Sequence, residues 1–111
     1  MDKTAQLQRD RDAIKQVLQT YQQAYEAKDW NRFVGVWPTA PRVQFQQTFK
    51  AADKIHVTLD QKDPLINGDT ATVECSQRLE LVASGKMSHF DQTKRFTLRR
   101  LQGRWFIEKD N

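Results

Sequence analysis

The hydrophobic residues in the first half of the chain recur with the period of an α-helix. From Asp12 to about Lys28 they fall at i, i+3, i+4, i+7 and i+8, which predicts one amphipathic helix with a single apolar stripe. Asp29 suits an N-cap and Pro38 a helix stop, so a second, short helix is predicted between them, and a third over roughly 42–53. The stripe of the first helix consists of Ala13, Ile14, Val17, Leu18, Tyr21, Ala24 and Tyr25.

After Lys54 the hydrophobic period changes to two, which predicts β-strands. Turn signals around Gly68, Gly85 and Gly103 divide this half into four strands joined as an antiparallel meander. Helices followed by such a sheet form an α+β fold. The face expected to turn inward, against the helices, carries Ala71, Val73, Cys75, Leu79, Leu81, Phe90, Phe96, Leu98, Trp105 and Ile107.

The loop of the second hairpin determines which residues face each other across its strands. A two-residue Gly85-Lys86 loop would set Cys75 opposite Phe96, so that apolar meets apolar on the buried face. The same register predicts that Gln77 lies opposite Lys94.

The other two hairpins differ in whether a tight turn keeps their apolar residues together on the buried face. In the last one, a tight turn sets Leu98 opposite Ile107, which agrees with a shared buried face. In the first one, no tight turn keeps both Leu59 and Ile66 on the inner face. One extra residue is needed, so a β-bulge is predicted within 60–64.

Length and composition indicate one folded domain. The chain has 111 residues, of which 38% are hydrophobic, and we expect a domain over 12–111 after a polar lead-in, 1–11, that is a frayed helix start or a linker. No apolar run approaches the roughly 20 residues of a membrane span. No apolar segment follows Met1 as in a secretory signal, which favours a cytoplasmic location.

The net charge of +4 is spread along the chain rather than concentrated. Its densest basic segment, 94–104, should be split across both faces of the sheet by strand alternation. A solvated surface therefore explains the excess better than nucleic-acid binding, which is disfavoured.

Three segments resemble the NTF2-like (SnoaL-like, cystatin-like fold) superfamily: AIKQVLQTYQQAYEAKDWNRFVGVW, INGDTATVE and FTLRRLQGRWFIEK. The last two are similar to the GD-x-A-x-V and L-x-x-x-x-G-x-W-x-I patterns of that superfamily, and the resemblance covers Asp12 to Lys109. It implies helices packed on the concave face of a curved four-stranded antiparallel meander, which together form a cone with a pocket. It says little about function, because this scaffold hosts isomerases, cyclases, hydrolases, transport factors and kinase association domains.

The form also resembles DUF4440-type domains, which are appendages of larger bacterial proteins, some kinases among them. The resemblance implies that this chain is part of a larger bacterial protein. The polar lead-in is compatible with that expectation.

Three polar residues, Gln77, Gln92 and Lys94, interrupt the predicted inner face. A buried Lys or Gln without partners is costly, so they either line the mouth of the cone, bind something, or lie at a solvated sheet end. With the aromatic residues of the helices they would suit a small ligand that has an apolar body and an acidic or carbonyl group, although such an aromatic stripe is more often core. The predicted pocket residues are Tyr21, Tyr25, Trp37, Gln77, Gln92 and Lys94.

Catalysis is disfavoured by the same register. The resemblance implies that a proton-transfer enzyme would place an Asp, Glu or His inside the cone. His56, His89 and Asp91 are predicted on the outer face. For Asp63, near the predicted bulge, the sequence does not determine which face of the sheet the side chain occupies. No catalytic residue and no cofactor are therefore predicted. Two His and one Cys, far apart in sequence, predict no metal site.

The outer face of the sheet is predicted to be polar, with mixed-sign pairs between strands. The resemblance implies a homodimer through this face, with Phe106 opposite Arg99 as a contact. A monomer with one solvated face is the alternative. Together these observations favour a non-enzymatic module that binds a small ligand, mediates association, or does both. The alternative is a small isomerase- or hydrolase-like enzyme that uses the same pocket.

Overall fold

The computed structural model describes residues 3–110. Met1, Asp2 and Asn111, which belong to the predicted lead-in and domain, lie outside the described residues. The elements form an α+β fold in which three helices precede the strands. Their bounds are α1 (Lys3–Ala27), α2 (Trp30–Val36), α3 (Arg42–Ala51), β1 (Lys54–Gln61), β2 (Leu65–Asn67), β3 (Thr70–Ala83), β4 (Lys86–Leu101) and β5 (Arg104–Asp110).

Helix α1 buries the predicted stripe but begins earlier than its apolar pattern indicates. Ile14, Leu18 and Tyr21 are at most 1% exposed, whereas Ala13 is exposed. Residues 3–11, expected to be a frayed helix start or a linker, form the first part of α1. The hydrophobic pattern could not indicate this extension, because its anchor is the polar residue Asp10, which is 6% exposed.

An ion pair with Arg100 holds Asp10 and the first half of α1 against the sheet, and Asp69 holds the same guanidinium from the other side. The Arg100 guanidinium donates to the Asp10 carboxylate at 2.9 Å and to the Asp69 carboxylate at 2.8 Å. The Trp105 indole donates to the same Asp10 oxygen at 3.4 Å. A buried carboxylate needs such partners, so this cluster explains why the helix continues beyond its apolar stripe.

The two short helices form where the sequence predicts them. The Asp29 side chain accepts a hydrogen bond from the Arg32 backbone N–H and caps α2, as expected. Phe33 is fully buried, and Phe49 of α3 is 9% exposed. Within residues 3–110, no helix is long and apolar enough to cross a membrane.

The sheet is antiparallel, with β3 between β1 and β4, and β5 at the far edge. Short strand β2 pairs with the start of β3, beyond the end of β1. Gln61 pairs with Cys75 and Leu65 with Thr72, so three residues, 62–64, lie opposite only two of β3. The predicted bulge within 60–64 is confirmed.

The predicted register of the second hairpin is wrong by one residue pair. Its loop is Ser84-Gly85 rather than Gly85-Lys86, so Cys75 lies opposite Lys94 rather than Phe96. Both loop residues have positive φ, +52° and +76°, as a tight hairpin turn with right-handed twist requires. Every side chain keeps its predicted face, because the shift moves the pairing by an even number of residues.

The last hairpin confirms its predicted pairing and adds an irregularity. Leu98 lies opposite Ile107 as expected, but one extra residue of β5 separates this pair from the next ones. As a result Asp110, rather than Lys109, lies opposite the buried Phe96. The expectation that the inner face carries no acidic residue is therefore wrong.

The sheet extends well beyond the part that the helices cover. β5 pairs only with residues 96–101 of β4, so residues 86–93 of β4 form an edge without a neighbouring strand among residues 3–110. We call this segment the free edge of β4. All of its residues are exposed, Met87 at 67% and Phe90 at 47%. The molecule measures 55 × 23 × 19 Å along its principal axes.

Candidate functional site

A cluster of aromatic rings occupies the space between the helices and the concave face of the sheet. Neighbouring rings have centroids 4.7–6.5 Å apart, the separations at which aromatic side chains pack against each other. The interior of the cone is thus largely a packed core. This agrees with the alternative given above, in which the aromatic stripe forms core rather than a ligand site. The cluster consists of Tyr21, Tyr25, Phe33, Trp37, Phe45, Phe49 and Phe96.

Two predicted pocket residues, Tyr21 and Gln77, bind each other inside this core. The Tyr21 hydroxyl donates a 2.8 Å hydrogen bond to the Gln77 side-chain carbonyl. Both residues are buried, at 1% and 5% exposure. Burial raises the pKa of Tyr21 well above its usual value, so this phenol is a neutral donor. The pair explains how an inward glutamine is tolerated on an apolar face.

Lys94 is paired within the chain. Its ammonium group donates to the Asp110 carboxylate at 2.9 Å, and the two side chains are only 23% and 19% exposed. The sequence predicts that Lys94 is available to an acidic or carbonyl group of a ligand, whereas its charge is balanced by Asp110. Sequence reasoning missed Asp110, and the one signal for it was that an inward lysine needs a partner.

Tyr25 lies within the electrostatic reach of the Asp110 carboxylate. Burial, with a further contribution from that carboxylate, raises the pKa of Tyr25 to about 12. Its ring packs edge-on against Tyr21 at 5.8 Å and against Phe45 at 5.5 Å. Tyr25 and the Lys94–Asp110 pair therefore mark where the aromatic core meets polar groups, which we call the mouth of the cone.

Trp37 carries a buried polar atom without a partner. The residue is 3% exposed, and its indole nitrogen has no hydrogen-bond acceptor among residues 3–110. Its ring packs on Tyr21 at 6.3 Å and on Phe45 at 5.6 Å. Nearby, the Thr39 hydroxyl donates to the Glu108 carbonyl at 3.2 Å and connects this loop to β5.

The structure brings together only some of the three polar residues predicted on the inner face, Gln77, Gln92 and Lys94. Gln92 lies opposite Gln77, and Lys94 lies opposite Cys75, so the expected pairing of Gln77 with Lys94 is wrong. Gln92 is exposed, and its neighbour on the inner face, Phe90, is 47% exposed. Gln92 therefore lies beyond the core, at the start of the open part of the sheet.

A cleft of about 450 Å³ separates helix α3 from the far end of β3. This volume is within the range of small-molecule sites. It opens on the same concave face of the sheet as the aromatic core, because Leu81 belongs to the inner-face series of β3. The cleft is lined by Gln44, Gln47, Thr48, Ala51, Ala52, Leu81 and Ala83.

The groups most often used for proton transfer or nucleophilic attack lie elsewhere or are inert. His56 points away from the core, where its ring nitrogen is 2.8 Å from the Glu26 carboxylate. Burial raises the pKa of the Cys75 thiol to about 12, which leaves little reactive thiolate. Within residues 3–110, no three His, Cys, Asp or Glu residues are close enough to hold a metal ion.

The outer face of the sheet carries cross-strand ion pairs of the expected mixed sign. Arg78 pairs with Asp91 at 2.7 Å, and Glu74 with Arg95 at 2.8 Å. These contacts lower the pKa of both carboxylates below their usual values. Phe106 lies opposite Arg99 in the register, as predicted. Dimerisation through this face stays a prediction.

No protein-family model and no curated protein matches the sequence. Solved structures do match the fold. An NTF2-like protein with a cystatin-like fold from Novosphingobium aromaticivorans superposes with a TM-score of 0.71 at 15% identity, over 96% of this chain and 82% of that one. The chain has the NTF2-like fold. The predicted α+β cone is thus confirmed, whereas the resemblance to DUF4440-type domains stays a prediction.

Two further solved structures that superpose on this chain carry names that suggest enzymes. A candidate aromatic ring hydroxylase from Novosphingobium aromaticivorans has a TM-score of 0.81 at 18% identity, over 92% of this chain and 86% of that one. A candidate dehydratase of the NTF2-like family from Streptomyces avermitilis has a TM-score of 0.79 at 14% identity, over 93% and 94%. At these identities the likeness establishes the NTF2-like fold alone.

Proposed function

We propose that this chain is a non-enzymatic NTF2-like module that binds a small ligand at the mouth of its cone. The observation that carries the proposal is the buried indole nitrogen of Trp37, which has no acceptor among residues 3–110. The Trp37 ring packs on Tyr21 and Phe45, the two rings that also contact Tyr25 at the mouth. Buried donors in proteins are nearly always satisfied by a protein group, a water molecule or a ligand. A ligand carbonyl would satisfy Trp37, and the neighbouring rings would contact an apolar body.

The Lys94–Asp110 pair narrows the class of ligand. Because the Lys94 charge is balanced, an acidic ligand would have to displace Asp110 from it. A neutral carbonyl group meets no such competition. Of the two classes that the sequence allows, acidic and carbonyl-bearing, we therefore favour a neutral ligand with an aromatic or aliphatic body and one carbonyl.

Benzamide and benzoate form a matched pair of probes, since they share ring and size but differ in charge. We expect benzamide to bind more tightly than benzoate at neutral pH, as measured by thermal shift and by isothermal titration calorimetry. Trp37→Phe removes the N–H and keeps an aromatic ring. A lost hydrogen bond of about 1 kcal/mol predicts benzamide binding roughly fivefold weaker in this variant.

Trp30→Phe is the matched control, because Trp30 is a half-buried tryptophan that packs on Phe33 from outside the cluster. It should leave benzamide affinity unchanged. Equal affinity of the wild type and Trp37→Phe would contradict the proposal and would indicate a water molecule as the partner of Trp37. Absence of binding by either probe would also count against it.

Asp110 supports the alternative, a small isomerase- or hydrolase-like enzyme. It is the inward carboxylate that proton transfer in such a cone requires, although it is engaged by Lys94. An enzyme would show turnover that Asp110→Asn abolishes and that Trp37→Phe reduces only through binding. A binding module would show ligand affinity without turnover in either protein.

A further inference from the structure

We propose that the free edge of β4, residues 86–93, pairs antiparallel with the same edge of a second copy of this chain. The two sheets would join into one continuous sheet about a twofold axis at Phe90. This arrangement differs from the outer-face dimer that the resemblance implies. It rests on backbone hydrogen-bonding groups that have no partner among residues 3–110, and on the side chains that flank them.

The hairpin loop determines which backbone groups point outward. In a two-residue hairpin, the pair next to the loop exchanges hydrogen bonds across the strands, and bonded pairs then alternate. Ala83 and Lys86 flank the Ser84-Gly85 loop, so even-numbered residues of this segment bond to β3. The N–H and C=O groups of Met87, His89, Asp91 and Thr93 therefore point outward.

Side chains bond to backbone groups at the β1 and β5 edges of the sheet, whereas among residues 3–110 no side chain bonds to the backbone of the free edge of β4. At the β1 edge, the Gln22 side chain donates to the Val57 carbonyl at 2.6 Å, and the Val57 N–H donates to the Glu26 carboxylate at 3.0 Å. At the β5 edge, Thr39 donates to the Glu108 carbonyl. An unprotected edge strand is a template for pairing with another chain.

Side chains favour one register of the pairing over its two neighbours. With the axis at Phe90, each His89 lies opposite Asp91 of the other copy, so an imidazole joins each Arg78–Asp91 ion pair on the outer face. The two Phe90 rings meet on the inner face. Moving the axis to Asp91 would place two carboxylates directly opposite each other, which is destabilising, and moving it to His89 would lose both mixed pairs.

The pairing would also change the mouth of the cone. In this register Lys94 lies opposite Lys86 of the second copy, and Asp110, which already binds Lys94, offsets the repulsion between these two like charges. Two lysines around one carboxylate would leave a net positive charge beside the mouth. The inner face of the second copy would extend the floor beyond Gln92, so the dimer could admit larger or more acidic ligands than one chain alone.

Disulfide formation tests the register directly. In a Cys75→Ala background, Phe90→Cys places one thiol from each copy at the twofold axis, in a non-hydrogen-bonded pair whose Cα atoms lie about 4.5 Å apart. We expect mild oxidation to give a covalent dimer. Val43→Cys in the same background is the matched control, because Val43 is also exposed, at 68%, and lies on α3.

A proline variant tests the edge. His89→Pro removes one outward N–H while leaving the ladder to β3 intact, and edge strands tolerate proline. His89→Ala keeps that N–H and serves as its control. We expect sedimentation velocity to show a concentration-dependent dimer for the wild type and His89→Ala, and a monomer for His89→Pro at every concentration.

Three results would overturn the proposal. The first is a wild type that remains monomeric up to submillimolar concentration. The second is cross-linking of Phe90→Cys that is no faster than that of Val43→Cys. The third is a His89→Pro variant that still dimerises, which would point to the outer face instead. If His89→Pro does not fold, as judged by circular dichroism, the cross-linking comparison decides.

Discussion

Single residues in this protein acquire properties that depend on their surroundings rather than on their type. Lys94 is an inward cation whose charge is cancelled by Asp110, and Tyr25 is a phenol whose pKa is raised to about 12 by burial and the same carboxylate. Asp10 is a buried acid held by Arg100 and Trp105. The partners of Asp10 come from the far end of the chain, and that of Lys94 from the next strand after an irregular pairing, so composition and local pattern could not identify them.

The two tyrosines give a pH-dependent signal that checks the environment of the mouth. Folding raises the pKa of both above the unfolded value of about 10. The stabilisation that they contribute is therefore complete below about pH 10 and is lost as the pH rises through the raised pKa values, of which that of Tyr25 is about 12. Tyrosinate absorbance should increase near pH 10 in guanidinium but only well above it in the native protein. A native transition near pH 10 would show that these phenols are exposed.

Asp110→Asn tests how the charge of Lys94 is controlled. Removing the carboxylate leaves Lys94 as an uncompensated cation at the mouth, so an anion should become favourable there. We expect the preference between the matched probes to reverse, with benzoate binding more tightly than benzamide by calorimetry. The double variant Asp110→Asn, Lys94→Met should bind benzoate no better than the wild type does. An unchanged preference in Asp110→Asn would mean that Lys94 does not face the ligand.

At the scale of elements, the sequence predicted which faces are buried better than it predicted which residues pair. The bulge near Pro64 and the pairing of Leu98 with Ile107 followed from keeping apolar residues on one face. The second hairpin was misplaced because a shift by one residue pair conserves every face and still sets apolar residues opposite each other, Leu79 against Phe90 for example. Burial cannot distinguish such registers, whereas the turn conformation does.

Hydrophobic periodicity also determines how much of the candidate site could be predicted from the sequence. Tyr21 and Gln77 lie where periodicity places them, and they bind each other. Periodicity could not place Asp110 on the inner face, because an extra residue in β5 changes the side on which the strand end projects. An irregularity at the end of a strand leaves no hydrophobic signal, since no apolar residue follows it in the sequence.

Trp105→Ala tests the contribution of β5 to the core. Trp105 is 5% exposed, and the Arg100 guanidinium lies 5.3 Å from its ring centroid. Truncating a buried aromatic side chain to Ala usually costs about 3–5 kcal/mol of unfolding free energy. We expect a loss of this size in denaturant melts, and a clearly smaller one for Trp30→Ala. A loss below about 1 kcal/mol would show that Trp105 is not part of the core.

On the scale of the whole molecule, one end is closed by an aromatic core and the other is an open, two-sided sheet. The core is fixed by side chains from all three helices and from the sheet. The far half of β4 has only β3 beside it. We propose ligand binding at the boundary between these parts and association at the free edge of β4, so the two proposed activities would occupy adjacent but different surfaces.

Cys75 reports whether the closed end opens as one unit. It is the single cysteine of the chain, is 1% exposed, and its thiol pKa is raised to about 12 by burial, so reagents should reach it only when the core opens. We expect the rate of labelling by a disulfide reagent to be very slow in native buffer and to increase with guanidinium in parallel with global unfolding. The exposed thiol of Val43→Cys in a Cys75→Ala background should react at once under native conditions. Labelling of Cys75 that is fast and independent of denaturant would instead show that the sheet separates from the helices locally, and a rigid mouth for the ligand could then not be maintained.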